Sequence, residues 1–172
     1  MTIQGVRRCQ ADQDTRVGRI VLNRRSYVKF STMTDSGPPG IVPITGLVPM
    51  IHVFDMDRSI AFYRLLGFEI GNYQPRGGPL HWAWMYAPKA PDWKRGPNLM
   101  LTRSECAIDM ESQEVLFYLY AVDLPALRER LLAAGIKTGK ISYPDYLPAG
   151  EFRVGDPDGY ILMVAQAGAD TP

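Results

Sequence analysis

The sequence predicts an α+β fold built from two copies of one βαβββ module, and three observations carry that prediction. The order of elements is the same in both halves of the chain from Thr45 onward. Each half holds one amphipathic helix opened by an Asp and closed by a Gly at the same spacing, Asp55 to Gly67 in DMDRSIAFYRLLG and Asp123 to Gly135 in DLPALRERLLAAG. Each helix follows one strand-like run and precedes three shorter ones.

In the first module the strand-like run Gly46–Phe54 leads to Asp55. Its short side chain can accept the amide protons that the first helical turn leaves unbonded. Gly67 stands where the helix must stop, since glycine takes the left-handed cap conformation without strain. Phe68–Tyr73, Leu80–Tyr86 and Asn98–Thr102 follow as strands. The second module opens on Val115–Val122 and Asp123. In its helix Leu124, Leu127, Leu131 and Ala134 share one face, with Arg128, Glu129 and Arg130 opposite. Pro125 sits in the first turn, where its missing N–H is harmless. The later strands are Ile136–Ile141, Glu151–Val154 and Tyr160–Gln166, and Asp156-Pro157-Asp158-Gly159 makes the turn between the last two.

These elements occupy one domain, residues 43–167. Residues 1–42 read as a disordered or misassigned extension, with Met33 an alternative start, and 168–172 as a short tail. Arginines scattered among polar residues and the closing Ser36-Gly37-Pro38-Pro39-Gly40 give the extension no periodicity to bury. Asp12 and Asp14 count against a transit peptide. Charged residues make up 22% of the chain and the formal net charge is +1, so neither nucleic acid nor an anionic membrane is indicated as a partner. No stretch approaches the roughly 20 apolar residues that span a bilayer. Cys9 and Cys106 stand far apart without metal-ligand spacing, which indicates no disulfide framework and fits a reducing cytoplasm.

Several of these segments together resemble the vicinal-oxygen-chelate superfamily of glyoxalases, bleomycin-resistance proteins and extradiol dioxygenases. The carriers are Asp55-Met56-Asp57-Arg58-Ser59, Phe62-Tyr63 and Leu66-Gly67-Phe68 in the first half. In the second they are Val122-Asp123, Ala134-Gly135 and Glu151-Phe152-Arg153-Val154 running into Asp156-Pro157-Asp158-Gly159-Tyr160. The resemblance, over about Ile44 to Gln166, implies that the modules form a cup-shaped eight-stranded sheet with helices outside. It also implies a homodimer. Metal-binding members hold the ion with one His, Gln or Glu from each of four strands. The matching positions here are Val48, Met100, Phe117 and Met163, and their immediate neighbours are no better donors. An isopropyl group, two thioethers and a phenyl ring cannot supply N/O coordination. The resemblance is therefore to a metal-free branch, with no metal and no cofactor, like the antibiotic-sequestering, bleomycin-resistance type.

Side chains alternate across a strand, so residues sharing parity with those four positions are expected to line the cup. The expected ligand-binding set is Val48, Met50, His52, Asn98, Met100, Phe117 and Met163, joined by Trp82 and Trp84. Thr102, Val115, Leu119, Ile161 and Ala165 share the parity. Trp82, Trp84 and Tyr86 lie on one face of a strand, and parity leaves open whether that face is cup or core. Such a lining suits a hydrophobic, flat small molecule or antibiotic, held for sequestration, transport or sensing. The alternative is an enzyme of the same fold acting without metal, for which His52 is the one candidate acid or base. His52 with His81 as a relocated metal site is a further alternative.

Overall fold

Both helices begin and end where their caps place them. Helix α1 spans Met56–Leu65, and the Asp55 carboxylate accepts from the Arg58 N–H at 3.1 Å. Helix α2 spans Leu124–Ala133, with Asp123 accepting from Ala126 N–H at 3.0 Å. Gly67 and Gly135 close them at φ +92° and +79°, a region that a Cβ would strain. The computed structural model describes residues 44, 46–89, 96–106 and 108–168. The extension expected over residues 1–42 lies outside the described residues, as does the tail past Gly168.

The first module folds β1 (Met50–Val53), α1, β2 (Glu69–Gln74), β3 (Trp82–Tyr86) and β4 (Asn98–Arg103). Its sheet runs β1-β4-β3-β2, with β1 parallel to β4 and the other pairs antiparallel. The second module folds β5 (Leu116–Ala121), α2, β6 (Glu151–Gly155) and β7 (Ile161–Gln166). Its sheet runs β5-β7-β6, with β5 parallel to β7. The described strands thus divide between two sheets of four and three. The expected strand Ile136–Ile141 is present only as one bridge to β6, Thr138 to Val154, with a second just past it, Ser142 to Glu151. Their registers differ by one residue, so no continuous ladder can join them.

One face of each sheet is buried, and both contribute to a single core. Ile51, Val53, Ala83, Met85, Leu99 and Leu101 pack with Met56, Ile60, Phe62 and Tyr63 of α1. Phe152, Val154, Leu162 and Val164 join them from the second sheet, with Leu124 and Leu131 of α2. The helix stripes are apolar where the core needs them and polar elsewhere.

The Asp-Pro-Asp-Gly turn ties one module to the other. Asp158 accepts the Phe54 N–H on one carboxylate oxygen and the Ser59 hydroxyl on the other, both at 2.8 Å. Asp156 accepts the Tyr63 hydroxyl at 3.0 Å and the N–H groups of Asp158 and Tyr160 at 2.9 and 2.8 Å. The His52 N–H donates to the Tyr160 hydroxyl at 3.3 Å. Both carboxylates are buried. Burial raises the Asp156 pKa above the ordinary carboxylate value, and the bonds from Tyr160, Tyr63 and Asp158 oppose that rise. Burial also pushes the Tyr63 phenol far above its usual range, so Tyr63 remains the donor of this pair.

Cys106 is disulfide-bonded, a pairing that the wide spacing of the two cysteines did not indicate. Cys9, the other cysteine of the chain, lies outside the described residues. A paired cysteine gives no indication of a reducing compartment.

Candidate functional site

The core takes one face of the first sheet and leaves the other open. Burial alternates along β1, β3 and β4, with Ile51, Val53, Ala83, Met85, Leu99 and Leu101 inward. Met50, His52, Trp82, Trp84, Tyr86, Asn98, Met100 and Thr102 therefore point the other way. Register sets them in rows across the sheet. Met50 stands beside Met100, and Met100 beside Trp84; His52 stands beside Thr102, and Thr102 beside Trp82. The tryptophans are half-buried and belong to the open face, which answers the question that parity left open.

Trp84 is held in place from three sides. Its indole N–H donates to the Asn98 side-chain oxygen at 3.2 Å. Asn98 is itself anchored through its amide to the Gly96 carbonyl at 3.0 Å. The indole stacks on Tyr86 with ring centroids 5.2 Å apart and planes 14° from parallel. The third side is Gly71, where an added Cβ would fall 2.3 Å from the six-membered ring of the indole. The missing side chain lets Trp84 lie across β2, beside the ladder irregularity between Ile70 and Asn72.

A cleft of about 890 Å³ opens over this surface, lined by Gly46, Leu47, Val48, Gly71, Asn72, Arg76, Trp82, Trp84, Asn98 and Met100. Among the described residues Arg76 is its one cationic lining residue, bonded to the Asn72 side chain at 3.0 Å and set over the Tyr73 ring at 4.7 Å. The arrangement offers a flat aromatic platform, a thioether wall, an amide and a guanidinium. It can bind a planar apolar molecule and fix its orientation through few polar contacts.

Five residues of the expected set, Val48, Trp82, Trp84, Asn98 and Met100, come together in this cleft. Met50 and His52 share its face and are exposed beside it, outside the lining. Phe117 requires a correction. Its ring turns to the core side of the second sheet, packing against the buried cluster with its centroid 6.0 Å from that of Tyr160. Tyr118 takes the open face instead, in register with Met163. Leu119 follows the same shift and packs against the core, while Val115 precedes the strand and is 53% exposed. Met163 lies on the open face of the second sheet, and that module contributes nothing to the cleft lining. His81 is exposed and lines a separate cleft of about 730 Å³ near Asp55 and Arg103.

Arg76, Asn72 and Gly71 escaped sequence reasoning. The available signal was the Gly-Asn-Tyr-Gln-Pro-Arg-Gly-Gly stretch, in which glycines and a charge lead directly into an aromatic strand.

The residues present do not fit the metal that the resemblance associates with this fold. The open faces offer Val48, Met100, Tyr118 and Met163 at the relevant strands, and no three His, Cys, Asp or Glu side chains converge among the described residues. Hard or borderline divalent ions need nitrogen and oxygen donors in a closed set.

A family model described as the Glyoxalase/Bleomycin resistance protein/Dioxygenase superfamily matches residues 44–164. Among solved structures the chain is similar to a bleomycin-binding protein complexed with bleomycin, at TM-score 0.55 and 19% identity over 71% of this chain and 98% of that one. It is also similar to a bleomycin resistance determinant encoded on the transposon Tn5, at 0.54 and 20% over 70% and 95%. A fosfomycin resistance protein, FosX, from Listeria monocytogenes matches at 0.55 and 12% over 74% and 98%. At such identities the likeness is one of fold. No curated protein matches the sequence.

Proposed function

We propose that this chain, which belongs to the Glyoxalase/Bleomycin resistance protein/Dioxygenase superfamily, binds a flat hydrophobic small molecule in the first-sheet cleft without a metal. The observation that carries this reading is Trp84. Its indole is locked by Asn98, stacked on Tyr86 and laid over Gly71, so a rigid aromatic plate faces an open cleft. Rigid aromatics lose little conformational freedom on binding and are efficient anchors. Relatives of this fold include a protein crystallised with bleomycin, which supports an antibiotic or a comparably planar metabolite as the class of ligand. Sequestration or transport needs no more than this surface. A native-state mass spectrum of the purified protein tests the reading directly: a copurifying organic molecule displaced by Trp84→Ala supports it, and a cleft that takes no planar ligand from a screen refutes it.

The side chains available support metal independence. Extensive dialysis against EDTA is expected to leave the thermal unfolding midpoint unchanged, because no metal-binding free energy contributes to the fold. A midpoint that falls with chelator and recovers with one equivalent of added Zn²⁺ would show a site that these residues do not suggest.

The assembly we propose is a symmetric homodimer. Met50 and Leu116 are 56% and 54% exposed on the open faces of the first and second sheets. Among the described residues nothing covers these two side chains, and a second copy offers the complementary apolar surface. Sedimentation equilibrium is expected to give twice the single-chain mass at micromolar concentration. A single-chain mass that does not change with concentration would rule the dimer out.

A further inference from the structure

The second sheet carries a group that the cleft does not use. Glu151 begins β6 and is 3% exposed. Its carboxylate accepts the hydroxyls of Tyr118 and Tyr146, the latter at 2.6 Å. Both partners are neutral phenols, and among the described residues no cation pairs with Glu151. Buried carboxylates normally find a positive partner, because hydrogen bonds alone leave the charge uncompensated. Here the missing component is positive charge.

What lies above the carboxylate is aromatic. Tyr118 and Tyr120 alternate on β5 and share the open face, with ring centroids 5.7 Å apart. In the row across the sheet Tyr120 stands beside Ala165, and Ala165 beside Glu151. The single methyl of Ala165 leaves the space through which the Glu151 side chain reaches Tyr118. Tyr118, Tyr120 and Tyr146 remain 43%, 43% and 75% exposed. A phenol that donates to a carboxylate gains electron density in its ring, which deepens the negative potential over its face. The bond to Glu151 also raises the pKa of the Tyr118 and Tyr146 phenols above the ordinary value, so both stay protonated and keep this geometry at neutral pH.

We propose that Tyr118, Tyr120 and Tyr146, seated over the Glu151 carboxylate, form a recognition site for an alkylated organic ammonium ion. The carboxylate supplies charge from beneath and the rings supply contact. Because Glu151 is covered, it cannot reach an N–H of the guest directly. Methylated nitrogen, weakly hydrated and apolar at its rim, therefore suits the site better than a primary amine does. The site stands on the second sheet alone and does not depend on what fills the first-sheet cleft.

The test uses the full chain with tyrosine rings isotopically labelled, titrated with choline and with its uncharged isostere 3,3-dimethylbutan-1-ol. Choline is expected to shift the rings of Tyr118, Tyr120 and Tyr146 saturably, and the isostere to bind at least about tenfold more weakly. Glu151→Gln keeps an acceptor for the phenols but removes the charge, and is expected to weaken choline about tenfold. Should that variant fail to fold, Tyr120→Leu, which leaves both hydrogen bonds to Glu151 in place, is expected to weaken choline about fivefold in a folded protein. Equal binding of choline and the isostere would overturn the proposal. So would the absence of a saturable choline shift, or choline binding unchanged in the folded variants.

Discussion

Asp158→Ala is expected to lower folding stability by about 2–4 kcal/mol. The carboxylate holds two donors of the first module, the Phe54 N–H and the Ser59 hydroxyl, each at 2.8 Å. Ser59 is fully buried, so its hydroxyl has no water to turn to when the acceptor is removed. A buried donor left unsatisfied costs about 1–3 kcal/mol, and two are exposed to that loss here. Asp158→Asn is expected to be much milder, at about 1 kcal/mol. One amide oxygen still accepts from Phe54, and the serine hydroxyl can rotate to accept from the new NH₂. Urea unfolding of the two variants checks the contrast: the alanine midpoint should fall well below that of asparagine with little change in slope. Equal midpoints would mean that this turn does not join the modules energetically.

The second large effect separates binding from catalysis. Trp84→Ala removes the aromatic plate and is expected to weaken a planar ligand by about 1–3 kcal/mol, roughly 5- to 150-fold in Kd. His52→Gln keeps a polar group on the same face, beside rather than within the cleft lining, and is expected to change affinity by about 1 kcal/mol at most. Phe117→Ala should leave affinity nearly alone and lower stability by about 2–4 kcal/mol, since its ring packs against the core. Affinity, turnover and unfolding measured on the three variants together give a distinct pattern for each role. A glutamine variant that binds normally but loses about 10²–10⁴-fold in turnover would make His52 a general base and the protein an enzyme.

Why the sequence foretold some of this and not the rest is visible residue by residue. The helix boundaries were legible because Asp55, Asp123, Gly67 and Gly135 each have one local task, and all four perform it. The open face of β4 was legible because Asn98, Met100 and Thr102 alternate with buried leucines, which a period of two resolves. The facing of β5 was not. Leu116 to Ala121 reads Leu-Phe-Tyr-Leu-Tyr-Ala, apolar or aromatic at every position, so alternation carries no information and Phe117 was assigned to the wrong side. The cleft wall at Gly71 and Arg76 was hidden for a different reason. Gly71 acts through the atoms it lacks, and only the three-dimensional path of Trp84 reveals that they had to be missing. The Tyr118–Glu151 pair joins residues of strands that are separated by β7, a relation that exists only in the register of the sheet.

The parallel pairing of β1 with β4 bears on how the chain emerges from the ribosome. Met50 must wait for Met100, about 50 residues later, before its strand has a neighbour. At a synthesis rate of about 5–20 residues per second, that delay is roughly 2–10 s. β5 faces a similar wait for β7, since Leu116 pairs with Ile161. During each interval a short apolar strand trails the ribosome with both edges bare, the condition under which nascent chains associate with one another. The helix that follows each strand is complete long before the partner strand appears, and it can shelter the inward face of Ile51 and Val53 while the edge waits. Each half of the molecule is thus synthesised in an order that covers its apolar face first and closes its hydrogen-bonding edge last.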